Sequence, residues 1–529
     1  MPVPEEIRKV DRPKNTVVYD TGHEGPNRYC VRERAGTRYV PGGNPQPRNG
    51  KIIGHIYNGK YVPKVTEIAA NGPWALSYGA SILVKSVSSD IEDTLMRVYP
   101  IEDAYNIMTI AMLRVLKPRV SIKGLLKEYE RTFISVFYPN AHLSPTTVSN
   151  LFEKIGIDEA KRLKFFEYRT EAIEKEHKIA IDGTLKQDSS KINDLSGYSH
   201  KARVKGCKEI SVMYAYDIEI LEPICAQVFP GGYIDASTYS TFIEDNNISK
   251  GIIINDKGFP PNRIKAELEG HKDLHFITPI KNNDMRIRDN QMLDFTGLLD
   301  GVGYDVWYKK VVDTTTGHYL YAFKDPDTGL MQEHGYCKQV RKAISKKNDK
   351  NTKKIKYSDK EPYFGVIVFE SDLDLSPSKI YKNYQDRWLL ELVFKQYKSN
   401  LGLNKTNVQS DFTVLGSEFV NFIATVLSCR ILRKASNAGL LDDLSYAELL
   451  DDLSTAWRKV DAPKITKSDD GFWVHAFKYV LEYLEALGLS IPAPKPETKK
   501  RGRPKKELSL EERKSKKPAS KKNPLLPAL

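Results

Sequence analysis

The segment YQDRWLLELVFKQYK, residues 384–398, concentrates four polar side chains of different chemistry in one short stretch: Tyr384, Arg387, Glu391 and Lys398. On a helix of 3.6 residues per turn these positions fall within an arc of about 60°, so one continuous helix would point all four off one side. A carboxylate can hold a divalent metal, and Arg, Lys and a phenol can bind phosphate oxygens. The alternative is a solvated helix face with Arg and Glu paired at i, i+4, and the rest of the chain has to decide between the two.

Composition limits the class of protein. The chain of 529 residues is long enough for two to four domains, and its hydrophobic content of 40% supports buried cores. No apolar run reaches the ~18 residues needed to span a membrane, and the N-terminus lacks the apolar region of a secretion signal. Five scattered cysteines without a C-x-x-C pair argue against a zinc cluster or a disulfide scaffold. We therefore expect a cytoplasmic protein with no membrane partner.

Most of the positive charge lies in the C-terminal tail. Of the net charge of +13, residues 495–529 supply +9, from thirteen Lys or Arg against four Asp or Glu. Within this tail, Arg501 and Arg503 resemble the core of an AT-hook, in which two Arg side chains lie along a narrow A/T minor groove. The alternative is a generic solvated charge run. In either case the tail should increase salt-sensitive, nonspecific binding to DNA.

Changes of pattern along the chain predict six regions. They are a β-rich N-terminal region (1–90), a helical region (91–175), the first part of an α/β core (176–284), a β-rich insertion (285–372), the second part of the core with C-terminal helices (373–490), and a basic disordered tail (491–529). The fully apolar strand GIIIN, which helices bracket, should be central in the sheet. Within the insertion, the Lys-rich residues 339–360 are predicted as a basic arm or helix. A helix should begin at Ser376 and continue to about Lys398. It would carry Tyr384, Arg387, Glu391 and Lys398, which we call the polar stripe.

Local signals predict several turns and helix ends. Asn58-Gly59 is typical of a type I′ hairpin turn. Ser144 should cap the N-terminus of a helix that Gly156 ends. Asp325 should begin a turn between two strands of the insertion. The helices of the second region would suit either a helix-turn-helix DNA-binding module or an ordinary bundle.

Two aspartates follow apolar strands of the predicted α/β core. Asp182 ends HKIAI and is followed by Gly-Thr, and Asp256 ends GIIIN and is followed by Lys-Gly-Phe. Carboxylates at the C-terminal ends of central strands lie where α/β sheets place ligands. Either residue taken alone is better explained as a turn or cap residue.

The two aspartates become a candidate metal site if the Glu391 carboxylate lies close to them. Three converging carboxylates are unfavourable unless cations neutralise them. Two Mg²⁺ ions about 3.5–4 Å apart would do so and would hold the attacking and leaving oxygens of a phosphodiester displacement. Ligation by oxygen alone selects Mg²⁺ or Mn²⁺ over zinc.

The order of these motifs resembles a known family. Asp-Gly-Thr at Asp182, Asp-Lys-Gly-Phe at Asp256, and Tyr-x2-Arg-x3-Glu-x6-Lys around Glu391 are similar to the DDE transposases of bacterial insertion sequences, specifically the "IS four" type. The resemblance covers roughly residues 176–460. It implies a ribonuclease H-like α/β catalytic core interrupted by a β-rich insertion, behind a DNA-binding N-terminal region that is β-rich plus helical. It also implies that Asp182, Asp256 and Glu391 form the catalytic triad and hold two metal ions, Mg²⁺ or Mn²⁺.

The resemblance also implies DNA contacts. Similar transposases use the Tyr, Arg and Lys of the stripe to grip the backbone of the transposon end, which assigns that role to Tyr384, Arg387 and Lys398. Some of them stack a flipped base on an aromatic residue of the insertion, and Trp307 is the candidate here. The alternative for Trp307 is a core residue of an alternating strand.

We therefore expect a DNA transposase that cleaves and transfers strands at the ends of an insertion sequence. Its partners would be double-stranded DNA, both insertion-sequence ends and target, and a second copy of the chain in a synaptic homodimer. It would act in the prokaryotic cytoplasm at the nucleoid. The alternatives are another ribonuclease H-like nuclease, which the stripe and the insertion disfavour, and a transposase-derived DNA-binding regulator without catalysis, which the intact triad disfavours.

Overall fold

The chain folds as two compact units, Met1–Trp74 and Ala75–Leu529. A computed structural model describes residues 3–25, 28–39, 42–63, 75–188, 190, 192–198, 206–232, 236–255, 270–301, 305–345, 356–387, 389–406, 408–460 and 472–489.

The first unit is a four-stranded antiparallel sheet with a short helix. Its elements are α1 (Glu5–Arg8), β1 (Thr16–Asp20), β2 (Tyr29–Arg38), β3 (Gln46–Tyr57) and β4 (Lys60–Pro63). The strands pair in chain order, and β3 turns into β4 at Asn58-Gly59. Both turn residues have positive φ, 49° and 69°, as a type I′ turn requires, so the predicted hairpin is confirmed.

The second unit mixes helices with two sheets. Its helices are α2 (Gly79–Ser86), α3 (Ser89–Val98), α4 (Ile101–Leu116), α5 (Ile122–Tyr129), α6 (Ile134–Phe137), α7 (Pro145–Ile157), α8 (Glu159–Thr170), α9 (Ala236–Asp245), α10 (Met285–Asp289), α11 (Pro326–Ser345), α12 (Tyr357–Lys360), α13 (Pro377–Asp386), α14 (Leu389–Lys395), α15 (Asp411–Asn437), α16 (Tyr446–Ser454) and α17 (Lys478–Ala486). Its strands are β5 (Ala75–Ser77), β6 (Lys178–Asp188), β7 (Gly197–Tyr198), β8 (Lys208–Asp217), β9 (Glu222–Phe229), β10 (Lys250–Ile254), β11 (Asp273–Pro279), β12 (Gly297–Leu298), β13 (Trp307–Val312), β14 (Tyr319–Lys324), β15 (Val366–Ser371), β16 (Lys405–Thr406), β17 (Trp457–Lys459) and β18 (Trp473–His475).

The main sheet has eleven strands, in the order β12-β13-β14-β15-β11-β10-β6-β8-β7, with β9 also paired to β8 and β16 to β6. β10 lies between β6 and β11 and is parallel to both, which confirms its predicted central position. β8 is antiparallel to β6 and to β9. The strands of the predicted insertion continue the same sheet, because β15 pairs antiparallel with β11 and β14 with β15.

The insertion region also contains the long helix α11, and the turn predicted at Asp325 is wrong. The Asp325 carboxylate accepts the backbone N–H groups of Asp327 at 3.0 Å and Thr328 at 3.2 Å, and Pro326 is the first helical residue. An Asp followed by Pro caps a helix for the same reason that Ser144 and Ser376 do. Those two predicted caps are confirmed, since each hydroxyl accepts a backbone N–H three residues later.

Helix α15 forms the spine of the second unit. Among the described residues, it is the one helix whose length and composition would allow it to cross a membrane. However, 89% of its most apolar window is buried inside the protein. One hydrophobic cluster joins α15, the helices between α2 and α8, and the sheet strands β6, β8 and β10. Helix α16 ends at Ser454, and Trp457–Lys459 form β17 between β5 and β18.

Helices α7 and α15 cross with their backbones in contact at two glycines. A Cβ at Gly156 would lie 1.8 Å from the carbonyl oxygen of Phe412, and a Cβ at Gly416 would lie 1.8 Å from that of Phe152. The prediction that Gly156 ends its helix is therefore wrong. Gly156 lies within α7, and its missing side chain allows the close approach.

Replacing Gly416 by Ala is expected to destabilise the protein by about 1–3 kcal/mol or more, because the new methyl group must push the two backbones apart. Gly335→Ala is the matched control, since that glycine lies in helix α11 and a Cβ added there would meet nothing within 4 Å. There Ala should be neutral or stabilise by up to about 1 kcal/mol. Thermal unfolding followed by circular dichroism compares the two, and equal midpoints would contradict the close crossing.

Candidate active site

Asp182 lies inside β6 at the point where the sheet forks. The parallel pairing of β6 with β10 ends at Ala180, which is opposite Ile254, whereas β8 pairs with β6 as far as Asp188. The prediction that Asp182 ends a strand is therefore wrong, because β8 continues to hold the chain extended. The carboxylate is half-buried, and its Oδ1 accepts the N–H of Gly183 at 2.8 Å. The residue still occupies the C-terminal edge of the parallel strand pair.

The side chain of Asp182 faces the helical layer that carries the stripe. Tyr214 on β8 is directly opposite Asp182, and opposite residues of an antiparallel pair share one face of the sheet. The fully buried Tyr214 ring packs edge-on against Phe394 of α14 at 6.0 Å and against Tyr397 at 5.8 Å between centroids. Helix α14 therefore covers the face of β6 on which Asp182 lies.

Glu391 is on α14 and is exposed. Its helix is held down by Leu390 and Val393, which are buried in the main hydrophobic cluster. The structure therefore brings the helix that carries Glu391 against the strand that carries Asp182. The solvent-accessible carboxylate on that helix and the half-buried one on that strand both offer the oxygen ligands that a divalent cation prefers.

Asp256, the third predicted carboxylate, lies outside the described residues, as do the glycine and phenylalanine of its motif. Among the residues that the structure does describe, no group of three His, Cys, Asp or Glu side chains is placed to hold a metal ion. Asn255, immediately before Asp256, is fully buried and accepts a hydrogen bond from the hydroxyl of Tyr239. Its amide donates to Thr278 Oγ1 at 2.9 Å, so the end of β10 is fixed on both sides.

The electrostatic field of Asp182 reaches Tyr239. Burial first, and the Asp182 carboxylate second, hold the pKa of Tyr239 well above its usual range. The phenol therefore stays protonated and remains a hydrogen-bond donor to Asn255. The end of β10 is thus stabilised by a neutral donor close to Asp182.

The polar stripe is not one continuous helix, and that prediction is wrong. Helix α13 ends at Asp386, the N–H of Arg387 donates to the carbonyl of Tyr384 at 3.2 Å, and α14 begins at Leu389. After α14 the chain forms a π-helix, Gln396–Asn400, in which the N–H of Leu401 donates to the carbonyl of Gln396 at 2.9 Å. The i, i+3 hydrogen bond at Arg387 and the π-helix after Lys395 both depart from the regular helix that the common arc assumed.

Tyr384 and Arg387 remain together at the end of α13. The Tyr384 ring packs on Phe369 of β15 with centroids 4.5 Å apart, and the Arg387 guanidinium lies over the Tyr384 ring at 5.7 Å. Asp386 between them forms an ion pair of 3.6 Å with Lys178 of β6. These contacts fix the end of α13 against the sheet. Lys398 is half-buried on the π-helix.

A buried polar network lies beneath the π-helix, and the sequence patterns did not predict it. Glu418 of α15 accepts hydrogen bonds from Lys186 of β6, from the hydroxyl of Tyr397, and from Asn421 at 2.8 Å. Arg114 of α4 donates to Asn421 Oδ1 at 2.6 Å. The signal in the sequence is a single Glu inside the apolar run of α15, which is unfavourable unless a cation accompanies it.

The network carries two buried cations. Burial lowers the pKa of Lys186 from its usual value, and the Glu418 carboxylate opposes that shift. Burial also lowers the pKa of Arg114 to about 10. Because Tyr397 immediately precedes Lys398, Glu418 ties the π-helix to the strand of Asp182. The network therefore positions the candidate site without taking part in it.

The other predicted DNA-binding residues are distant in the sequence from the three carboxylates. They are Trp307, Arg501 and Arg503. Trp307 begins β13, pairs with Lys324 of β14, and is 43% exposed. Its ring is therefore not a core residue, which removes that alternative. Arg501 and Arg503 lie outside the described residues.

Comparison with known proteins assigns the class. Residues 174–419 match the family model described as "Transposase DDE domain", a span that includes Asp182, Asp256 and Glu391. This domain gives the chain the function of a DNA transposase, an enzyme that cleaves and transfers DNA strands, and domains of this kind generally use divalent metal ions.

One similar solved structure is that of piggyBac transposase in a synaptic complex with hairpin DNA. It aligns with a TM-score of 0.39 and 11% sequence identity, over 80% of this chain and 87% of that chain. No curated protein matches the sequence.

Proposed function

We propose that this transposase is of the "IS four" type and that it cleaves and joins DNA at the ends of an insertion sequence with Asp182, Asp256 and Glu391 as its catalytic triad. The observation that carries the proposal is the packing of α14, which bears Glu391, on the sheet face of Asp182, within a span that matches a transposase DDE domain. Asp256 is two residues beyond Ile254, and chain connectivity limits that step to about 7 Å. Ile254 is opposite Ala180, two residues before Asp182, which supports the third member of the triad.

The strand order supports a ribonuclease H-like core. Strands β9, β8, β6, β10 and β11 are adjacent in that order, the first three antiparallel and the last two parallel to β6. The chain leaves this core after β11 and returns at α13. The strands β12–β15 between those points extend the sheet beyond β11, as an insertion would.

The carboxylates fit two Mg²⁺ or Mn²⁺ ions, because Asp182 and Glu391 offer only oxygen ligands, one of them in contact with solvent. Such ions would activate a water molecule or a DNA 3′-hydroxyl for attack and would stabilise the leaving oxygen. The Gly183 N–H donates to Asp182 Oδ1, which orients the carboxylate. The buried anchors of α14 fix the direction of Glu391.

The end of α13 and the π-helix would bind the backbone of the insertion-sequence end. Arg387 stacked over Tyr384 combines a guanidinium and a phenol, and both bind phosphate oxygens. Lys398 would add a third cation. We place the reaction in a homodimeric synaptic complex with double-stranded ends and target DNA, in the cytoplasm at the nucleoid.

Purified protein incubated with Mg²⁺ and a duplex that carries the inverted repeat flanking the gene tests the proposal. End-specific nicking and joining would support it. Cleavage of unrelated duplexes or junctions would indicate another ribonuclease H-like nuclease. Binding to the ends without any cleavage would indicate a regulator and would contradict the proposal.

Lys398→Ala is expected to weaken binding of the insertion-sequence end and to reduce the slope of log K against log salt by about 1, since one phosphate contact is lost. Lys395→Ala is the matched control, because Lys395 is exposed at the end of α14. Fluorescence anisotropy over a series of salt concentrations measures both. An affinity and a salt slope equal to those of the wild type would show that Lys398 does not contact the DNA.

Trp307→Ala is expected to lower the affinity for end DNA by ~1–3 kcal/mol if the exposed ring stacks on one base. The control is Trp457→Ala, because Trp457 is 40% exposed and belongs to the separate three-stranded sheet. A 2-aminopurine base placed at the cleaved end reports stacking directly. Equal fluorescence with wild-type and Trp307→Ala protein would contradict the role in base stacking.

A further inference from the structure

The hairpin of β2 and β3 extends beyond the rest of the first unit's sheet. β1 pairs with β2 only as far as Glu33, and β4 pairs with β3 only from Gly54 onward. Residues 34–38 and 46–50 pair with each other, and the Arg34 N–H donates to the carbonyl of Asn15 at 2.9 Å at their base. We call residues 34–38 and 46–50 the basic ribbon. It is a two-stranded antiparallel segment whose two outer edges have no neighbouring strand among the described residues.

The basic ribbon is positively charged and carries no Asp or Glu. Its three basic residues are Arg34, Arg38 and Arg48. The side chains of Arg34 and Arg48, and of Lys51 beside the ribbon, are exposed. At the base of the sheet, by contrast, Arg28 pairs with Asp20 at 3.2 Å. An isolated two-stranded segment is only marginally stable in water, so core packing does not explain its length.

The ribbon's geometry and charge point to a nucleic-acid partner, and we propose that the basic ribbon binds duplex DNA in the major groove next to the insertion-sequence end. Two strands about 4.8 Å apart, with their side chains, fit a groove about 12 Å wide, which admits a two-stranded β-ribbon. Register shifts between Arg32 and Arg34 and between Arg34 and Thr37 add local twist, as a ribbon that follows a groove requires. The inference rests on the proposed function for the identity of the DNA.

The ribbon would carry out a task that the catalytic edge of the second unit cannot. Carboxylates and phosphate-binding residues around a cleaved strand position the backbone but read little sequence. Arg side chains in the major groove can donate two hydrogen bonds to guanine O6 and N7. Arg34 and Arg48, on opposite strands of the ribbon, are the residues we assign to this contact.

The test compares the double variant Arg34→Ala/Arg48→Ala with the control Arg8→Ala/Lys9→Ala in the full-length protein. The control also removes two positive charges, from exposed positions of the same unit. The ribbon variant should bind end duplex about tenfold more weakly at 150 mM salt and show a salt slope smaller by about 2. Protection of guanine N7 from methylation should disappear at a site next to the cleaved end.

The control variant should keep the wild-type affinity within about twofold and retain the protection pattern. Equal affinities and equal protection for the two variants would overturn the proposal and leave the ribbon a solvated hairpin. At saturating protein the ribbon variant should still nick end DNA. Absence of nicking by the wild-type protein would contradict the proposed function instead, and the ribbon would then be tested by the same comparison on unrelated duplex.

Discussion

Asp182→Asn and Glu391→Gln proteins are each expected to lose nicking of insertion-sequence-end DNA by at least about 10³-fold. Each change keeps the shape of the side chain and removes the charge that holds a metal ion, and metal ions supply several kcal/mol of transition-state stabilisation. Binding of end duplex should stay within about twofold, because neither carboxylate attracts DNA. Single-turnover nicking in Mg²⁺ and anisotropy in Ca²⁺ measure the two quantities separately.

Asp194→Asn is the control for this experiment, since Asp194 is exposed and lies on the same chain segment after β6. It should nick at the wild-type rate. A Glu391→Gln protein that nicks normally would remove Glu391 from the triad, whatever the result at Asp182. Asp256→Asn should behave as Asp182→Asn does, with the same loss of nicking and the same retained binding.

Glu418→Gln is expected to lower the free energy of unfolding by about 3–5 kcal/mol, because it leaves the buried Lys186 and Arg114 without their shared counter-charge. The double variant Lys186→Met/Glu418→Leu should lose less, since it removes the buried Lys186 charge together with its partner and leaves only Arg114 without the carboxylate. Urea unfolding compares the two variants with Glu485→Gln, an exposed glutamate whose change should stay within about 0.5 kcal/mol.

The Glu418 variant should also affect the reaction. The amide of the variant keeps one acceptor oxygen where the carboxylate has two, so Lys186, Asn421 and Tyr397 cannot all keep their hydrogen bonds. The π-helix that carries Lys398 should therefore become less ordered, and the affinity for end DNA should fall as it does for Lys398→Ala. Stability equal to the wild type for Glu418→Gln would contradict the view that the network holds the π-helix on β6.

The residues predicted from the sequence were those whose role is local. The caps at Ser144 and Ser376 and the turn at Asn58-Gly59 depend on side chains and backbone angles within a few residues, so their patterns predicted them.

The features that the sequence did not predict depend on distant partners. On either side of the break in the stripe, Asp386 pairs with Lys178 of β6 and Tyr397 donates to Glu418, and both partners are distant in the sequence. The role of Gly156 depends on a second glycine in another helix. Asp182 lies within a strand because β8 extends past the end of β10, and local propensity does not encode that difference in length.

The central claim is that Asp182, Asp256 and Glu391 surround one metal site, and metal-directed cleavage of the protein backbone tests it most directly. Fe²⁺ bound in place of Mg²⁺ generates hydroxyl radicals with ascorbate and peroxide and cuts the chain near its ligands. Three cuts are expected, near residues 182, 256 and 391, all suppressed by excess Mg²⁺ and all lost together in the Asp182→Asn protein. Cuts near only one of these positions, or cuts that persist in that variant, would contradict it.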